Sequence, residues 1–469
     1  MFNATIWNAR DTICNLYIEE LTDEQLIDNY YCRTCGHLKG DHTHALSDIQ
    51  KLNTRFPEID DIEEATLSIK SKIGNIQMVV YPPVNTKIEQ DSSEDSGDSS
   101  LVFDSDDNFT TLSKQQASVI IDKIWTQLHE EQLSTRQSEL DETCLTLNNQ
   151  TIHWNECIYS QTRPPTGYSL WISMHGGGSC PAPVNDEQFR NQINLYNPNE
   201  GIWVVPRSPT DSWNQWHQEH IDVLFDRIIE NYIMVKEINP NRVYILGYSA
   251  GGDGVYQLAP RMADRFAAAA MMAGHPNDAL PYGLRNLPFA IFVGENDSGY
   301  NRNKMAQQWA EQLDTLQKSD PDAYHHYVNI CSNMGHWMCG KDAEALTWMS
   351  QWTRNPWPKK VVWVQDDVTH HHFYWISLPD TIEPKQGQKI TAEVNEQTIT
   401  ICTFEGIQQL TLRLSDALLD LDQSINVYLD GHGMIFQGRV SRTEQAIKNS
   451  FSIRADPACA ATALLELSW

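Results

Sequence analysis

Five short hydrophobic runs recur through the middle of the chain, and they limit its fold more than any other feature. Each is almost continuously apolar and is separated from the next by a stretch with helical character. Strands that are apolar at every position are covered on both faces, which is typical of parallel sheets. The runs are 170–174, 202–205, 243–246, 289–293 and 327–330, with helix candidates at 217–235, 250–263, 302–318 and 341–353. We therefore expect a doubly wound, mostly parallel α/β sheet.

The character of the sequence changes on both sides of this central part. Residues 89–110 are rich in Ser and Asp and contain no Lys or Arg, so we expect an acidic linker after a small N-terminal region, 1–88, of unknown role. After residue 355 the strands alternate polar and apolar positions, which predicts a β-sandwich-like module over 356–469. The central α/β domain would then be 111–355. It would begin with an amphipathic helix whose start, at Ser113, resembles a capping box.

A Gly-x-Ser-x-Gly pentapeptide follows the third hydrophobic run directly. Gly247, Ser249 and Gly251 stand between that run and a helix candidate. A nucleophile elbow requires this strand-to-helix context, since small residues at both ends let the backbones approach while the serine projects from a sharp turn. The pattern predicts Ser249 as a nucleophile; the alternative is a plain glycine-rich turn.

A second glycine run, which begins at His175, ends an earlier strand of the same predicted sheet. Glycines at this place leave backbone N–H groups unshielded, so these groups and the Ala250 N–H can stabilise the oxyanion of a tetrahedral intermediate. The alternative is an ordinary strand-ending turn. We also expect His175 to take part in substrate binding.

A base and an orienting acid should follow the serine in chain order. Asp297 comes just after the run 289–293, and His336 comes just after the run 327–330, so both lie where strands of the sheet end. Glu295 is a possible substitute for Asp297, although its place nearer the strand favours contact with a neighbouring helix. Asp253 precedes the expected position and is interpreted as a cap or pocket residue.

The other histidines are weaker candidates for the base. His275 follows an Ala/Met run and is predicted to line the pocket. The three consecutive histidines at 370–372 lie in the β module, where a solvated strand end is the favoured interpretation. His325 and His326 precede the last strand of the main sheet, on the side away from the predicted site.

The segment 207–217 follows another strand end and should overhang the same opening. Trp213 and Trp216 would form an apolar wall for the acyl or alcohol part of a substrate, and Arg207 would meet a carboxylate. Aromatic packing at a helix start together with an internal ion pair explains the same residues equally well.

With these residues in place, the stretch 143–355 resembles the α/β-hydrolase superfamily of serine hydrolases. It is most similar to the esterase types that include polyhydroxybutyrate-depolymerase-like, dienelactone-hydrolase-like and phospholipase/carboxylesterase-like enzymes. The resemblance implies Ser249 as nucleophile, His336 as general base, Asp297 as its orienter, and Gly177 with Ala250 as oxyanion donors, with no cofactor. The stretch has no obvious lid insertion, which argues against an interfacial lipase.

Composition limits the kinds of molecule that this protein is expected to bind. A formal net charge of −28 disfavours nucleic acid and anionic membrane surfaces. The N-terminus does not resemble a secretory signal, no long apolar run is present, and ten cysteines show no disulfide spacing, so a cytoplasmic location with reduced thiols is expected. One cluster near the N-terminus offers ligands for zinc, although ordinary loop residues are the favoured interpretation: Cys32, Cys35, His37, His42 and His44.

The main functional hypothesis is therefore a serine hydrolase that cleaves small-molecule carboxylic esters with small or medium acyl groups. A serine peptidase of the same fold and a non-catalytic binding protein on this scaffold are the alternatives. Peptidases of this fold usually carry a large gating domain, and the region before the linker is short and shows no repeat, which favours esters. The sequence gives no indication of the oligomeric state.

Overall fold

The computed structural model describes residues 111–159 and 162–469, together with the backbone of two strands nearer the N-terminus. These strands, β1 (Ala65–Ser71) and β2 (Gly74–Val80), pair antiparallel. The predicted linker at 89–110 and the zinc hypothesis for the cluster at Cys32 lie outside the described residues.

The main sheet has eight strands and is parallel except at one edge. Two antiparallel strands at that edge come first, β3 (Cys144–Leu147) and β4 (Gln150–Ile158), and β4 pairs antiparallel with β6 (Ile202–Arg207). The remaining strands pair parallel. In spatial order they are β6 (Ile202–Arg207), β5 (Leu170–Met174), β7 (Val243–Tyr248), β8 (Ala268–Met272), β9 (Phe289–Gly294) and β10 (His326–Cys331). The doubly wound, mostly parallel sheet expected from the sequence is confirmed.

Helices connect the strands and cover both faces of the sheet. They are α1 (Lys114–Glu142), α2 (Ala182–Ile193), α3 (Glu219–Lys236), α4 (Ala250–Arg261), α5 (Arg302–Ser319) and α6 (Glu344–Met349). The capping box is present, because Ser113 Oγ accepts from the Gln116 backbone while the Gln116 side chain accepts from the Ser113 backbone. Helix α2 was not expected, since its sequence is mostly polar. None of the described helices has both the length and the apolar character needed to cross a membrane.

After residue 355 the chain forms two further sheets whose inner side chains share one core. The five-stranded sheet has the order β11 (Lys360–Val364), β14 (Lys389–Asn395), β15 (Thr398–Glu405), β17 (Ile425–Leu429) and β18 (Gly433–Gly438). The four-stranded sheet has the order β12 (His372–Phe373), β13 (Ile376–Ser377), β16 (Gln409–Leu414) and β19 (Ala463–Ser468), and one helix, α7 (Glu444–Ile453), precedes β19.

The apolar run 373–376 has the composition of a strand, but a tight turn at 374–375 divides it between β12 and β13. Tyr374 has a left-handed φ of 53°, its backbone N–H donates to Asp264, and its hydroxyl donates to the Ala263 carbonyl. These contacts with the domain that contains the main sheet reverse the chain at Tyr374, and the apolar pattern alone gives no sign of them.

Buried ion pairs join the β module to the domain that contains the main sheet. Arg354 pairs with Asp456 at 2.6 Å, and Arg454 pairs with Asp264 at 2.7 Å. Helix α1 packs against α7 through apolar side chains, so the two ends of the described chain meet. Separating the two parts would expose charges that the fold now pairs.

Candidate active site

The serine turn between β7 and α4 is strained. Ser249 has φ 58° and ψ −122°, a conformation that non-glycine residues rarely adopt. The flanking glycines are required by close packing, because a Cβ on Gly247 would lie 2.2 Å from the Gly251 carbonyl oxygen, and one on Gly251 would lie 2.2 Å from the Met174 oxygen. The turn therefore fixes Ser249 at the carboxyl end of β7.

Three side chains predicted separately meet at this turn. Ser249 Oγ lies 3.0 Å from His336 Nε2, and His336 Nδ1 lies 2.8 Å from Asp297 Oδ2. Asp297 follows β9 and His336 follows β10, so all three residues lie at the carboxyl ends of parallel strands in the same sheet. Each side chain is buried. The structure brings together a serine, a histidine and an aspartate in a linear relay of hydrogen bonds, which is the arrangement that serine nucleophiles require.

The surroundings of Asp297 keep its carboxyl ionised. Burial raises its pKa, but the charge and hydrogen bond of His336 and the charge of Arg302 outweigh burial, so the pKa lies below its ordinary value. A carboxylate can only accept, so His336 Nδ1 must carry a proton and Nε2 is left to accept from Ser249. Asp297 thus selects the tautomer that a base needs.

Tyr248, directly before Ser249, positions the loop that carries His336. Its hydroxyl donates to the His336 carbonyl at 2.6 Å and accepts from the Met338 N–H at 3.1 Å, and its ring meets the imidazole edge to face. No sequence signal singles out Tyr248, because the Gly-x-Ser-x-Gly pattern leaves the residue between Gly and Ser unspecified.

The glycine loop after β5 passes beside Ser249, since a Cβ on Gly176 would lie 3.1 Å from the Ser249 Cβ. The Gly176 carbonyl accepts from the side chains of Gln215 at 3.3 Å and His175 at 2.5 Å. In a trans peptide the N–H points opposite to the carbonyl, so the Gly177 N–H is directed to the other side of the loop. Gly177 has φ +98°, and a Cβ there would lie 2.1 Å from Asn185 Oδ1.

Asn185 holds this loop in place, and sequence reasoning missed it. Its Oδ1 accepts from the Gly178 N–H at 2.8 Å, while its Nδ2 donates to the Cys180 carbonyl and to Asp211. The side chain is fully buried, so its polar atoms must be paired within the fold, and they pair with the glycine loop, Cys180 and Asp211.

The prediction that His175 and Trp216 contact substrate is wrong, because both side chains are fully buried. Trp216 Nε1–H donates to the His175 carbonyl at 2.9 Å, and the two rings pack edge to face. His175 Nε2 accepts from the Ser208 N–H, so the ring is neutral, and burial lowers its pKa to about 3. Both residues support the glycine loop from below.

That Trp213 and His275 contact the substrate remains a prediction. Trp213 is 59% exposed beside Gly178, which places an aromatic ring at the rim of the site. His275 is half-buried, and its backbone N–H donates to Asp253 at 2.6 Å. Arg207 forms internal ion pairs with Asp186 and Asp211, so the second of the two interpretations holds for this residue.

Glu295 and Asp253, the alternative acids, do not contact His336 and have other partners. Glu295 accepts from the Asn333 N–H at 2.8 Å and so supports the loop before His336. Burial raises the pKa of Asp253 to about 6 despite the nearby charge of Arg302.

The interpretation of the histidines at 370–372 as a solvated strand end is wrong for two of them, because each has a partner within the fold. His370 Nε2 lies 2.8 Å from Asp222 of the hydrolase domain, and His372 Nδ1 lies 2.8 Å from Ser377 Oγ. Burial lowers the pKa of His372 to about 3.

The strand order and the strained serine turn at the end of β7 define an α/β-hydrolase fold. No protein-family model matches the chain. No curated protein matches it either.

Several solved structures are similar to part of the chain. One is a thermostable esterase, with 19% identity and a TM-score of 0.36 over 45% of this chain; the match spans 62% of that esterase's length. Another is LpqC, a poly(3-hydroxybutyrate) depolymerase from Bordetella parapertussis, with 15% identity and a TM-score of 0.35 over 45% of this chain and 90% of that one. The BES protein from Bacillus cereus has 11% identity and a TM-score of 0.34, and the match covers 44% of this chain and 92% of the BES protein. The fold class follows from the sheet order and the serine turn rather than from these similarities.

Proposed function

We propose that this protein is a serine hydrolase that cleaves carboxylic esters of small or medium acyl groups through an acyl-enzyme on Ser249. The observation that carries the proposal is the continuous relay from Ser249 Oγ through His336 to Asp297, with distances of 3.0 Å and 2.8 Å. Distances of this kind allow a proton to move from the serine to the imidazole as the oxygen attacks.

In the first half of the cycle, Ser249 Oγ attacks the ester carbonyl carbon while His336 Nε2 takes the hydroxyl proton. The carbonyl oxygen becomes an oxyanion, which we assign to the backbone N–H groups of Gly177 and Ala250. Ala250 is the first residue of α4, so its N–H lies at the positive end of a helix. His336 then returns the proton to the leaving alcohol, and the acyl group stays on Ser249.

In the second half, water attacks the acyl-enzyme and gives its proton to His336 Nε2. The tetrahedral intermediate collapses, the acid leaves, and the proton returns to Ser249. Asp297 stabilises the imidazolium in both halves, because its carboxylate faces Nδ1–H throughout.

An ester is the preferred substrate because an alcohol leaves more readily than an amine, which must be protonated as it departs. Matched ester and amide substrates with the same acyl group distinguish the two reactions. We expect hydrolysis of a short-chain aryl ester and no cleavage of an unstructured peptide. Equal catalytic efficiency on the matched pair would make the protein a peptidase instead.

Labelling with a fluorophosphonate, followed by identification of the modified peptide, tests the nucleophile. We expect the label on Ser249, and we expect Ser249→Ala to abolish both labelling and ester turnover while thermal unfolding is little changed. Ser179→Ala is the matched control, since Ser179 is an exposed serine of the same glycine loop and should label normally. Label on any other serine would show that the active site lies elsewhere in the protein.

A further inference from the structure

A buried arginine lies at the second oxygen of the Asp297 carboxylate. Arg302 Nη1 is 3.8 Å from Asp297 Oδ1, while the other oxygen, Oδ2, faces His336 Nδ1 at 2.8 Å. The Arg302 side chain is 5% exposed, so bulk water screens its charge only weakly. The carboxylate therefore lies between a fixed positive charge and the imidazole of the relay.

The loop between β9 and α5 fixes the guanidinium at this place. Tyr300 and Asn301 have left-handed φ angles of 54° and 57°, which non-glycine residues rarely adopt, and Arg302 follows them as the first residue of α5. The Asn303 N–H donates to the Asp297 carbonyl at 3.0 Å and so closes the loop. The guanidinium carbon lies 4.8 Å from the centre of the Tyr300 ring. One short loop thus holds the arginine and the aspartate together.

A second carboxyl group, on the helix after Ser249, responds to the same cation. Asp253 lies in the first turn of α4, and its Oδ1 accepts from the His275 N–H at 2.6 Å. Burial raises the pKa of Asp253 to about 6, the charge of Arg302 opposes this rise, and the charge of Asp297 adds to it. Asp253 therefore changes its charge in the pH range in which histidines do, and its ionisation is coupled to that of Asp297.

The other titratable groups near the guanidinium add little charge at neutral pH. The His275 ring is half-buried, and burial, with a smaller contribution from Arg302, lowers its pKa. Tyr256 of α4 is fully buried, and burial holds the pKa of its phenol well above the ordinary value. Glu295 and Lys304, on either side of the loop, are exposed and opposite in charge.

Two other elements that pack against α5 carry charged groups toward its far end. Arg285 pairs there with Asp320 at 2.8 Å, and His326 lies 3.1 Å from Asp314. These groups have partners of their own. The buried fixed charges around the start of α5, among the described residues, are then those of the arginine and the two carboxylates.

We propose that Arg302 is a positioning residue that acts as the common counter-ion of Asp297 and Asp253. It holds the Asp297 carboxylate charged and oriented toward His336, and it couples the ionisation of Asp253 to the relay. This role rests on the serine hydrolase proposed above, because it concerns the same relay.

The sign of each charge gives the expected effect on the reaction. Removing a positive charge makes it easier to add a proton to any group nearby. A proton on Asp297 removes the carboxylate and a proton on His336 removes the base, so either one leaves Ser249 inactive. Loss of the Arg302 charge should therefore move the acidic limb of the pH–activity profile to higher pH, and loss of the Asp253 charge should move it to lower pH.

The pH dependence of kcat/KM for an aryl ester, and of the rate of fluorophosphonate labelling, tests this role. Arg302→Met removes the charge and should move the acidic limb up by about half a pH unit to one unit. Arg302→Lys keeps the charge and should move it by less than about 0.3 units. Asp253→Asn can still accept from the His275 N–H, and it should move the limb down by less than Arg302→Met moves it up.

Lys318→Met is the matched control, because it removes the same formal charge from the exposed last turn of the same helix. At 1.5 Å per residue that turn is about 24 Å away, beyond the range of a screened charge. Its acidic limb should coincide with that of the parent. Thermal unfolding should show which variants are folded, and the shift in Asp253→Asn decides the question if Arg302→Met does not fold.

The outcomes separate this role from a purely structural one. An arginine that only supports the fold would lower activity at every pH without moving the acidic limb. The role is overturned if folded Arg302→Met keeps the limb of the parent, if Arg302→Lys moves it as far as Arg302→Met does, or if Asp253→Asn does not move it to lower pH. A parent that hydrolyses the ester and takes the label on Ser249 would then keep its proposed function. A parent that does neither would overturn that function, and this role with it.

Discussion

Two histidine–aspartate pairs among the described residues have the same separation and different surroundings. His336 and Asp297 meet at 2.8 Å beside Ser249, and His370 and Asp222 meet at 2.8 Å between the hydrolase domain and the β module. In the first pair the other imidazole nitrogen faces the Ser249 hydroxyl. In the second pair the carboxylate is shared with the buried Arg261.

The difference shows that the pair alone does not define a catalytic site. Arg261 binds Asp222 through two nitrogens, so that carboxylate serves a structural ion pair. Asp297 has Arg302 at 3.8 Å, and its shorter contact is to His336. A histidine becomes a base where a nucleophile is fixed on its free side, and the strained turn at Ser249 supplies this condition.

The largest effect is expected for Asp297→Asn, which should lower ester turnover about 10⁴-fold. The amide cannot stabilise the imidazolium, and it can turn its N–H₂ group toward Nδ1 and so select the wrong tautomer. Steady-state kinetics on an aryl ester measures the loss. Glu295→Gln is the control, because a glutamine oxygen can still accept from the Asn333 N–H, and its turnover should stay within about tenfold of the parent. The reverse ranking would assign the acid to Glu295.

The second pair should respond in stability instead of chemistry. Asp222→Asn leaves the Arg261 guanidinium, whose side chain is 2% exposed, without its main partner, and should lower the free energy of unfolding by about 3–5 kcal/mol. Urea unfolding measures this change. Asp367→Asn removes a more exposed partner of Arg261 and should cost less than about 1 kcal/mol. If Asp222→Asn abolished fluorophosphonate labelling in the folded protein, the Asp222–His370 pair would also affect the serine site, and its assignment as a purely structural pair would be wrong.

The second pair also predicts a pH dependence of stability. Burial lowers the pKa of His370, but the hydrogen bond and charge of Asp222 outweigh it, so the pKa in the folded state lies above the ordinary value. The unfolded chain then binds fewer protons than the folded one as pH rises, so the stabilisation by His370 is complete below about pH 6.5 and is lost through the folded pKa. The stability difference between parent and His370→Gln should therefore be larger at pH 6 than at pH 9. A difference that grows with pH would contradict the assignment.

The smallest effect is expected at the solvent side of the serine site. Trp213→Ala should raise KM for an aryl ester by less than about tenfold and leave kcat unchanged, since the exposed ring contributes binding that is equal in ground and transition states. Steady-state kinetics separates the two constants. Tyr428→Ala, in the β module, should change neither. A fall in kcat for Trp213→Ala would mean that Trp213 positions the adjacent Gly178 loop.

Much of the hydrolase domain could be predicted because its signals are local. A run of apolar residues marks a strand covered on both faces, and the pentapeptide around Ser249 marks the turn after β7. Chain order then places Asp297 and His336, because parallel strands end at the same edge of the sheet. The central part of the candidate site therefore followed from positions along the chain.

The errors concern residues whose role depends on what covers them. His175 and Trp216 lie beside the predicted opening, and only packing decides that they are below the glycine loop. His370 was interpreted as solvated because its partner, Asp222, is 148 positions away along the chain. A single sequence holds no signal for a contact across such a separation.

The sequence by itself determined the sheet, the serine turn and the order of nucleophile, acid and base, because each depends on residues that are neighbours along the chain. Tertiary structure alone decided which polar residues are buried and what they face. Tyr248, Asn185 and the Asp222–His370 pair acquire their partners only when distant segments pack together. Burial removes water as an alternative partner, so each polar group must be matched by a group from elsewhere in the fold, and this matching is a property of the packed molecule.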